Sequence, residues 1–358
     1  MTDDDYMAHA LALAERGLFT TTPNPRVGCV LVRDGQIVGE GWHARAGEPH
    51  AEAIALNSAG ARARGATAYV TLEPCHHQGR TPPCDEALVA AGVARVVAAM
   101  QDPDPRTAGQ GIAHLRAANV AVHCGLRADQ AHELNIGFAS RVTRGRPWVR
   151  LKVAASLDGR TALADGQSRW ITGAAARRDG HHWRARACAV LTGIGTVRED
   201  DPQLTVREVE TTRQPLRVVV DSLLETAPAA RILEGGATLL FCAREDAAKS
   251  RALRERGAEI VVLPNASGKV ELPSLLQELG RRGVNELHVE AGHKLNGSLI
   301  REGCVDELLL YLAPCLLGDT AQGVAALPGL ASLASRQQLV IRETRMIGGD
   351  LRILARFN

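Results

Sequence analysis

The stretch VTLEPCHHQGRTPPC, residues 70–84, decides how the first half of the chain reads. It leaves an apolar strand signal and passes through two Pro-Cys pairs, ending at Cys75 and Cys84, with Gly and Pro between them. Just upstream, PHAE over residues 49–52 supplies His50 and Glu52. Catalytic zinc takes three protein ligands and keeps a fourth position open. One imidazole and two thiolates, from His50, Cys75 and Cys84, meet that need. Glu52 is then left to carry protons between an attacking water and a leaving group.

A lone His-x-Glu or Pro-Cys arises by chance in a chain of this size. The weight lies in the ordered set, which is the pattern of zinc deaminases. The spacing departs from that pattern, because eight residues rather than two separate the cysteines. On one continuous helix the thiols could not meet at one metal, so the insert is predicted to be a loop that returns Cys84 to the site. A proline before each cysteine predicts that both enter helices, where the helix dipole favours a thiolate. His76 and His77 are rival ligands, but with three donors supplied elsewhere a surface-loop role is expected for both.

Outward from this stretch the chain alternates strands and helices. A helix is predicted from Tyr6 to Arg16, then two strands flanking Asp34-Gly35, a hairpin signal. A helix after His50, a strand over 66–72, a helix from Cys84 to about Gly92 and a strand over 93–100 follow, then a helix over 109–119 and a strand over 120–124. Such alternation implies right-handed crossovers and a mixed or largely parallel sheet. The basic segment 141–148 reads as a linker. Beyond it, strands are predicted over 148–156, 216–221, 237–242, 259–263, 286–290 and 307–313, with a closing pair around Gly348-Gly349. Helices fit 174–187, 245–256, 272–282 and 295–302. The expected domains are therefore 1–145 and 146–358, both α/β.

Bulk properties narrow the function classes. A formal charge of +2 and 3% aromatic residues argue against a nucleic-acid or membrane-surface binder. The acidic N-terminus does not read as a targeting peptide, and no stretch is apolar enough to span a membrane, so a cytoplasmic protein is expected. Eight scattered cysteines fit metal ligation or burial better than a disulfide framework. Cys188 opens a predicted buried strand. In the second half GIGTVR, residues 193–198, misses the last glycine of a dinucleotide fingerprint. The strand ending at Glu290, with a glycine turn and a helix after it, reads as a phosphate-binding strand end.

The stretches PNPRVGCV, GWHARAGEPHAEAIAL and VTLEPCHHQGRTPPC resemble the bifunctional riboflavin-biosynthesis deaminase–reductases, whose long cysteine spacing is also found here. The resemblance runs through essentially the whole chain. It implies a cytidine-deaminase-like three-layer domain followed by a dihydrofolate-reductase-like domain, with one Zn2+ and NADPH as cofactors. The implied substrates are small phosphorylated pyrimidines, not nucleic acid, and a homo-oligomer, dimer or tetramer, is expected. By resemblance Asn24 and His43 contact the pyrimidine, and Arg80 reaches its phosphate where the family often has lysine. Asp104 stands where the family often has asparagine. In the second domain the resemblance assigns the cofactor to Ala154, Trp170, Thr196, Asp200, Ser222 and the turn Gly292, His293, Lys294, Leu295, Asn296, Gly297 and Ser298. It assigns the substrate to Ser168, Arg184, Leu204, Arg207 and Glu290. Lys152 is a further candidate, for polarising the ribose oxygen.

Overall fold

The structure, a computed structural model, describes residues 1–77 and 82–358; Arg80 lies outside the described residues. Its packing divides the chain into two compact units, Met1–Gly145 and Arg146–Asn358.

The first unit opens with α1 (Asp3–Glu15), started by a capping box in which Thr2 accepts the Asp5 N–H and Asp5 accepts the Thr2 N–H. β1 (Gly28–Arg33) and β2 (Gln36–Trp42) form the expected hairpin. Asp34 and Gly35 both take positive φ, 53° and 74°, as this tight turn requires. Then come α2 (Ala51–Ala59), β3 (Thr67–Val70), α3 (Cys84–Ala90), β4 (Arg95–Ala98), α4 (Gln110–Ala117) and β5 (Ala121–Cys124). The sheet order is β2-β1-β3-β4-β5, with β1 antiparallel to both neighbours and β3, β4 and β5 parallel.

Glycines set the layers. A Cβ on Gly28 would lie 2.0 Å from the Ala10 carbonyl of α1, and one on Gly41 would lie 2.3 Å from the Ala51 carbonyl of α2. Gly41 pairs with Cys29, the neighbour of Gly28, so the two glycines look to opposite faces of the sheet. α1 and α2 therefore cover opposite faces, giving three layers.

Two helices close this unit, α5 (Ala128–Leu134) and α6 (Ile136–Arg144), and they correct the linker reading. Arg141–Arg144 complete the last turn of α6, and the break comes at Gly145, whose φ is 70°. The arginines hid an amphipathic helix that buries Ile136, Gly137, Ala139 and Ser140.

The second unit contains β6 (Trp148–Ser156), β7 (Arg160–Ala162), α7 (Ala174–Arg186), β8 (Ala189–Gly193), α8 (Ile194–Asp200), β9 (Leu216–Val220) and β10 (Thr238–Cys242). It continues with α9 (Ala247–Glu255), β11 (Ala258–Val262), α10 (Leu272–Arg281), β12 (Glu286–Val289), α11 (His293–Arg301), β13 (Glu307–Ala313), β14 (Gln322–Gly323), β15 (Leu339–Ile347) and β16 (Asp350–Phe357). Nine strands form one sheet in the order β11-β10-β9-β8-β12-β6-β13-β16-β15. The run from β11 to β13 is parallel, and β16 and β15 add antiparallel at one edge. The parallel strands read as apolar runs because both faces are covered.

One polar cluster interrupts this core. Arg150 on β6 bonds Glu307 on β13 at 2.6 Å and Glu286 on β12 at 3.1 Å. Arg186 also reaches Glu286, and Arg356 on β16 reaches Glu307. Arg150 and both carboxylates are buried, and the Arg150 guanidinium stacks on Trp183 of α7. These charges fix how α7 and four strands sit on one another.

Candidate active sites

In the first unit His50 is the N-cap of α2 and Glu52 lies in its first turn. The close seat of α2 on Gly41 and Gly39 holds that turn against the sheet. Cys84 is the first residue of α3, as expected, but Cys75 lies in irregular backbone, which corrects the expectation that both cysteines enter helices. α4 packs on the segment that leads into Cys75. A Cβ on Gly111 would lie 1.9 Å from the Pro74 carbonyl, so α4 presses directly on the segment before Cys75. Glu73 locks it there by accepting the N–H groups of Asp102, Gly109 and Ile112 at 2.9–3.0 Å.

The three expected zinc donors converge. His50 Nδ1 lies 3.3 Å from Cys84 Sγ and 3.6 Å from Cys75 Sγ, and all three donor atoms lie within 4.8 Å of one another. An imidazole and two thiols so placed fit a zinc ion that keeps an open position. Hydrogen bonding to Cys84 lowers the Cys75 thiol to about 4, against the effect of burial, while the same contact and burial push the Cys84 thiol up. Metal binding by such cysteines requires the thiolate form and releases their protons to solvent. Glu52 is buried, and burial together with nearby Cys75 raises its carboxyl to about 7. A carboxyl poised there can both accept and return a proton near neutrality.

This set opens onto a cavity of about 450 Å³. Asn24 and His43 line it and are bound to each other. His43 Nδ1–H donates to the Pro49 carbonyl at 3.1 Å, so Nε2 accepts from Asn24 Nδ2 at 2.9 Å. Burial, with His50 nearby, lowers the His43 pKa, favouring this neutral form. Asp104 also lines the cavity, but its carboxylate is clasped by the Arg106 side chain at 2.5–3.1 Å, which holds it below the ordinary carboxylate range. Phe138 and Arg141, from the stretch read partly as a linker, line it too. His77 borders the cavity, whereas His76 turns to Asp85 rather than to solvent alone. Sequence reasoning missed Glu73, Arg106 and Arg141; the glutamate inside LEPC was the one available signal.

In the second unit the expected residues gather at the carboxyl ends of adjacent parallel strands. Glu290 follows β12 and is held by Arg184 of α7 through two bonds, one of 2.9 Å, with Lys152 Nζ at 3.6 Å. Burial alone would raise the Glu290 carboxyl, but the Arg184 and Lys152 charges outweigh it and hold the group well below its ordinary value. Arg184 also donates to the Thr205 carbonyl, beside Leu204, and Arg207 donates to Thr205 Oγ1 and through its backbone to His181. Burial and the Arg184 and Arg207 charges lower the His181 pKa to about 4.

The expected cofactor residues lie beside this group. Gly193 ends β8, and a Cβ there would meet Leu295 at 3.1 Å; one on Gly292 would meet Thr196 Oγ1 at 3.8 Å. The starts of α8 and α11 therefore lie side by side with glycines between them, a cradle that suits a dinucleotide's phosphates. Arg169 ties the loop carrying Ser168 and Trp170 to Asp200 at 2.9 Å, and Arg177 stacks on Trp170. Ala154 lies within β6, and Ser222 follows β9, its hydroxyl accepting the Val270 N–H. Asn296 and Gly297 turn away from the strand ends, onto Val324 and Ala326.

A zinc-type deaminase site in a three-layer unit, followed by a reductase-like parallel sheet with a dinucleotide cradle, defines a fused deaminase–reductase. The cytidine and deoxycytidylate deaminase zinc-binding region matches residues 1–100, and the RibD C-terminal domain matches residues 147–351. Riboflavin biosynthesis protein RibD of Escherichia coli is 50% identical, with 98% of each chain covered, and that of Haemophilus influenzae is 46% identical over 97% of this chain and 95% of its own. The structure of Acinetobacter baumannii RibD superposes with a TM-score of 0.92 at 42% identity, covering 99% of each chain. The chain belongs to the RibD family. It is a bifunctional deaminase and NADP-dependent reductase of riboflavin biosynthesis, with a cytidine-deaminase-like first part and a dihydrofolate-reductase-like second part, using Zn2+ and NADPH.

Proposed function

We propose that residues 1–145 replace the 2-amino group of 2,5-diamino-6-(5-phosphoribosylamino)pyrimidin-4(3H)-one by oxygen, releasing ammonia. Residues 146–358 then reduce the ribosyl chain of the resulting uracil to ribityl. The observation that carries the first half is the buried Glu52 beside the converging His50, Cys75 and Cys84, at one cavity with Asn24 and His43. His50, Cys75 and Cys84 would hold zinc, which would supply a Lewis acid for water. The Glu52 carboxylate accepts a proton from water and returns it at the departing amine. Asn24, oriented by His43, offers its carbonyl to the pyrimidine edge, and Arg141 offers a cation at the rim, where Arg106 neutralises Asp104. Arg80 serves the substrate phosphate.

In the second step NADPH supplies the hydride. Gly292, Thr196 and Leu295 would hold its phosphates, and Trp170, Asp200, Ser222 and Ala154 would border the rest. Glu290 accepts hydrogen bonds from the substrate; Arg184 keeps it ionised, and Arg207 reaches the phosphate. The chain works as a homo-oligomer in the cytoplasm. The β15 edge favours self-association, since it exposes Leu339, Val340, Ile341 and Met346. No helix among the described residues is long and apolar enough to cross a membrane.

The deciding test offers purified enzyme the diaminopyrimidine ribosyl phosphate with NADPH and follows cofactor oxidation. Oxidation is expected with this substrate and with its deaminated product. Oxidation with the deaminated compound alone would refute the deaminase half, and oxidation with neither would refute the whole reading.

A further inference from the structure

A second cluster of donors stands outside the catalytic set. His76 Nδ1 lies 2.5 Å and His114 Nδ1 2.7 Å from the same atom, Asp85 Oδ2, and all three donors lie within 4.8 Å of one another. They come from three separate places: the segment after Cys75, the first turn of α3 and the middle of α4. The Asp85 side chain is fully buried, and its other oxygen accepts the Glu86 N–H at 2.8 Å, which fixes the direction of Oδ2. Both imidazoles are about one-third exposed, so water reaches the cluster.

We propose that His76, Asp85 and His114 form a second divalent transition-metal site, distinct from that of His50, Cys75 and Cys84. Two imidazoles and one carboxylate are a nitrogen–oxygen donor set suited to Zn2+ and its neighbours, with positions left for water. Tetrahedral zinc spaces such donors about 3.3 Å apart, so entry of the ion asks each ring to withdraw by under about 1 Å. Their partial exposure allows that movement. The ion would tie the segment just after Cys75 to α3 and α4 through His76, Asp85 and His114. Neither Cys75 nor Cys84 changes its role.

The test uses tag-free, full-length protein first loaded with one equivalent of Zn2+, then dialysed against rising Zn2+ and analysed for metal by emission spectrometry. Wild type is expected to take up a second equivalent, while His114→Ala and His76→Ser stop at one. A wild type that saturates at one, or either variant keeping the second, overturns the proposal. Should His114→Ala lose both equivalents through misfolding, His76→Ser decides. Cobalt loading separates this proposal from the catalytic assignment. The first equivalent at the cysteines should give intense thiolate charge-transfer absorption, and the second should add only weak ligand-field bands. Further charge transfer with the second equivalent would place it on cysteine and overturn the proposal.

Discussion

At Glu52 a buried carboxyl raised to about 7 sits in the first turn of α2, beside His50 and Cys75. Glu52→Gln keeps the shape and removes the proton carrier, so deamination should fall by about 10²–10⁴ while metal analysis finds zinc unchanged. At the rim, Arg106 neutralises Asp104. Arg106→Ala leaves that carboxylate facing an anionic substrate and should raise the KM of deamination several-fold, with kcat little changed and a dependence on salt. His181 makes a pH prediction for the second unit. Its folded pKa of about 4 lies below the ordinary 6.5, so the unfolded chain binds more protons between those values. Stability of this unit should therefore fall as pH drops from about 6.5 towards 4, and His181→Gln should flatten that slope in urea titrations followed by tryptophan fluorescence. The convergence of His50, Glu52, Cys75 and Cys84 was legible in the sequence because a zinc site of this kind dictates both residue type and order. Glu73 was not, since it acts on three backbone N–H groups far along the chain that only the fold brings near.

At the scale of elements, β2 and α2 make one working piece. A methyl on Gly41 would press into Ala51, between His50 and Glu52, and one on Gly39 into Ala55. Gly41→Ala should cost about 1–3 kcal/mol and weaken zinc retention, while reduction of the deaminated substrate continues. Dialysis against a mild chelator followed by metal analysis would show it. Strands and helices with plain periodicity were readable almost to the residue, as β6 and β13 show. α6 was not, because Arg141 and Arg144 made its end look solvated while its apolar face packed inward. The glycine and prolines between the cysteines signalled a break, but residues 78–81 of that insert lie outside the described residues, and the close approach of Gly111 to the Pro74 carbonyl, which seats the segment before Cys75 on α4, spans distant sequence.

Across the whole molecule the two chemistries rest on separate cores, 1–145 and 146–358, so each should be removable alone. Zinc removal should abolish deamination and spare NADPH oxidation with the deaminated substrate. Glu290→Gln should weaken reduction and spare deamination, raising the KM of reduction by roughly 10–100-fold through loss of charged hydrogen bonds. The buried Arg150, Glu286 and Glu307, with the half-buried Arg186 and Arg356 at their edge, carry a consequence for descent. Deleting one partner strands a buried charge, at about 3–5 kcal/mol, whereas exchanging the set for well-packed apolar residues can be neutral. Each member thus holds the others in place over generations: lineages can leave this arrangement only by several coupled changes, and Glu307→Ala should be far less tolerated alone than in a background where Arg150 is already apolar.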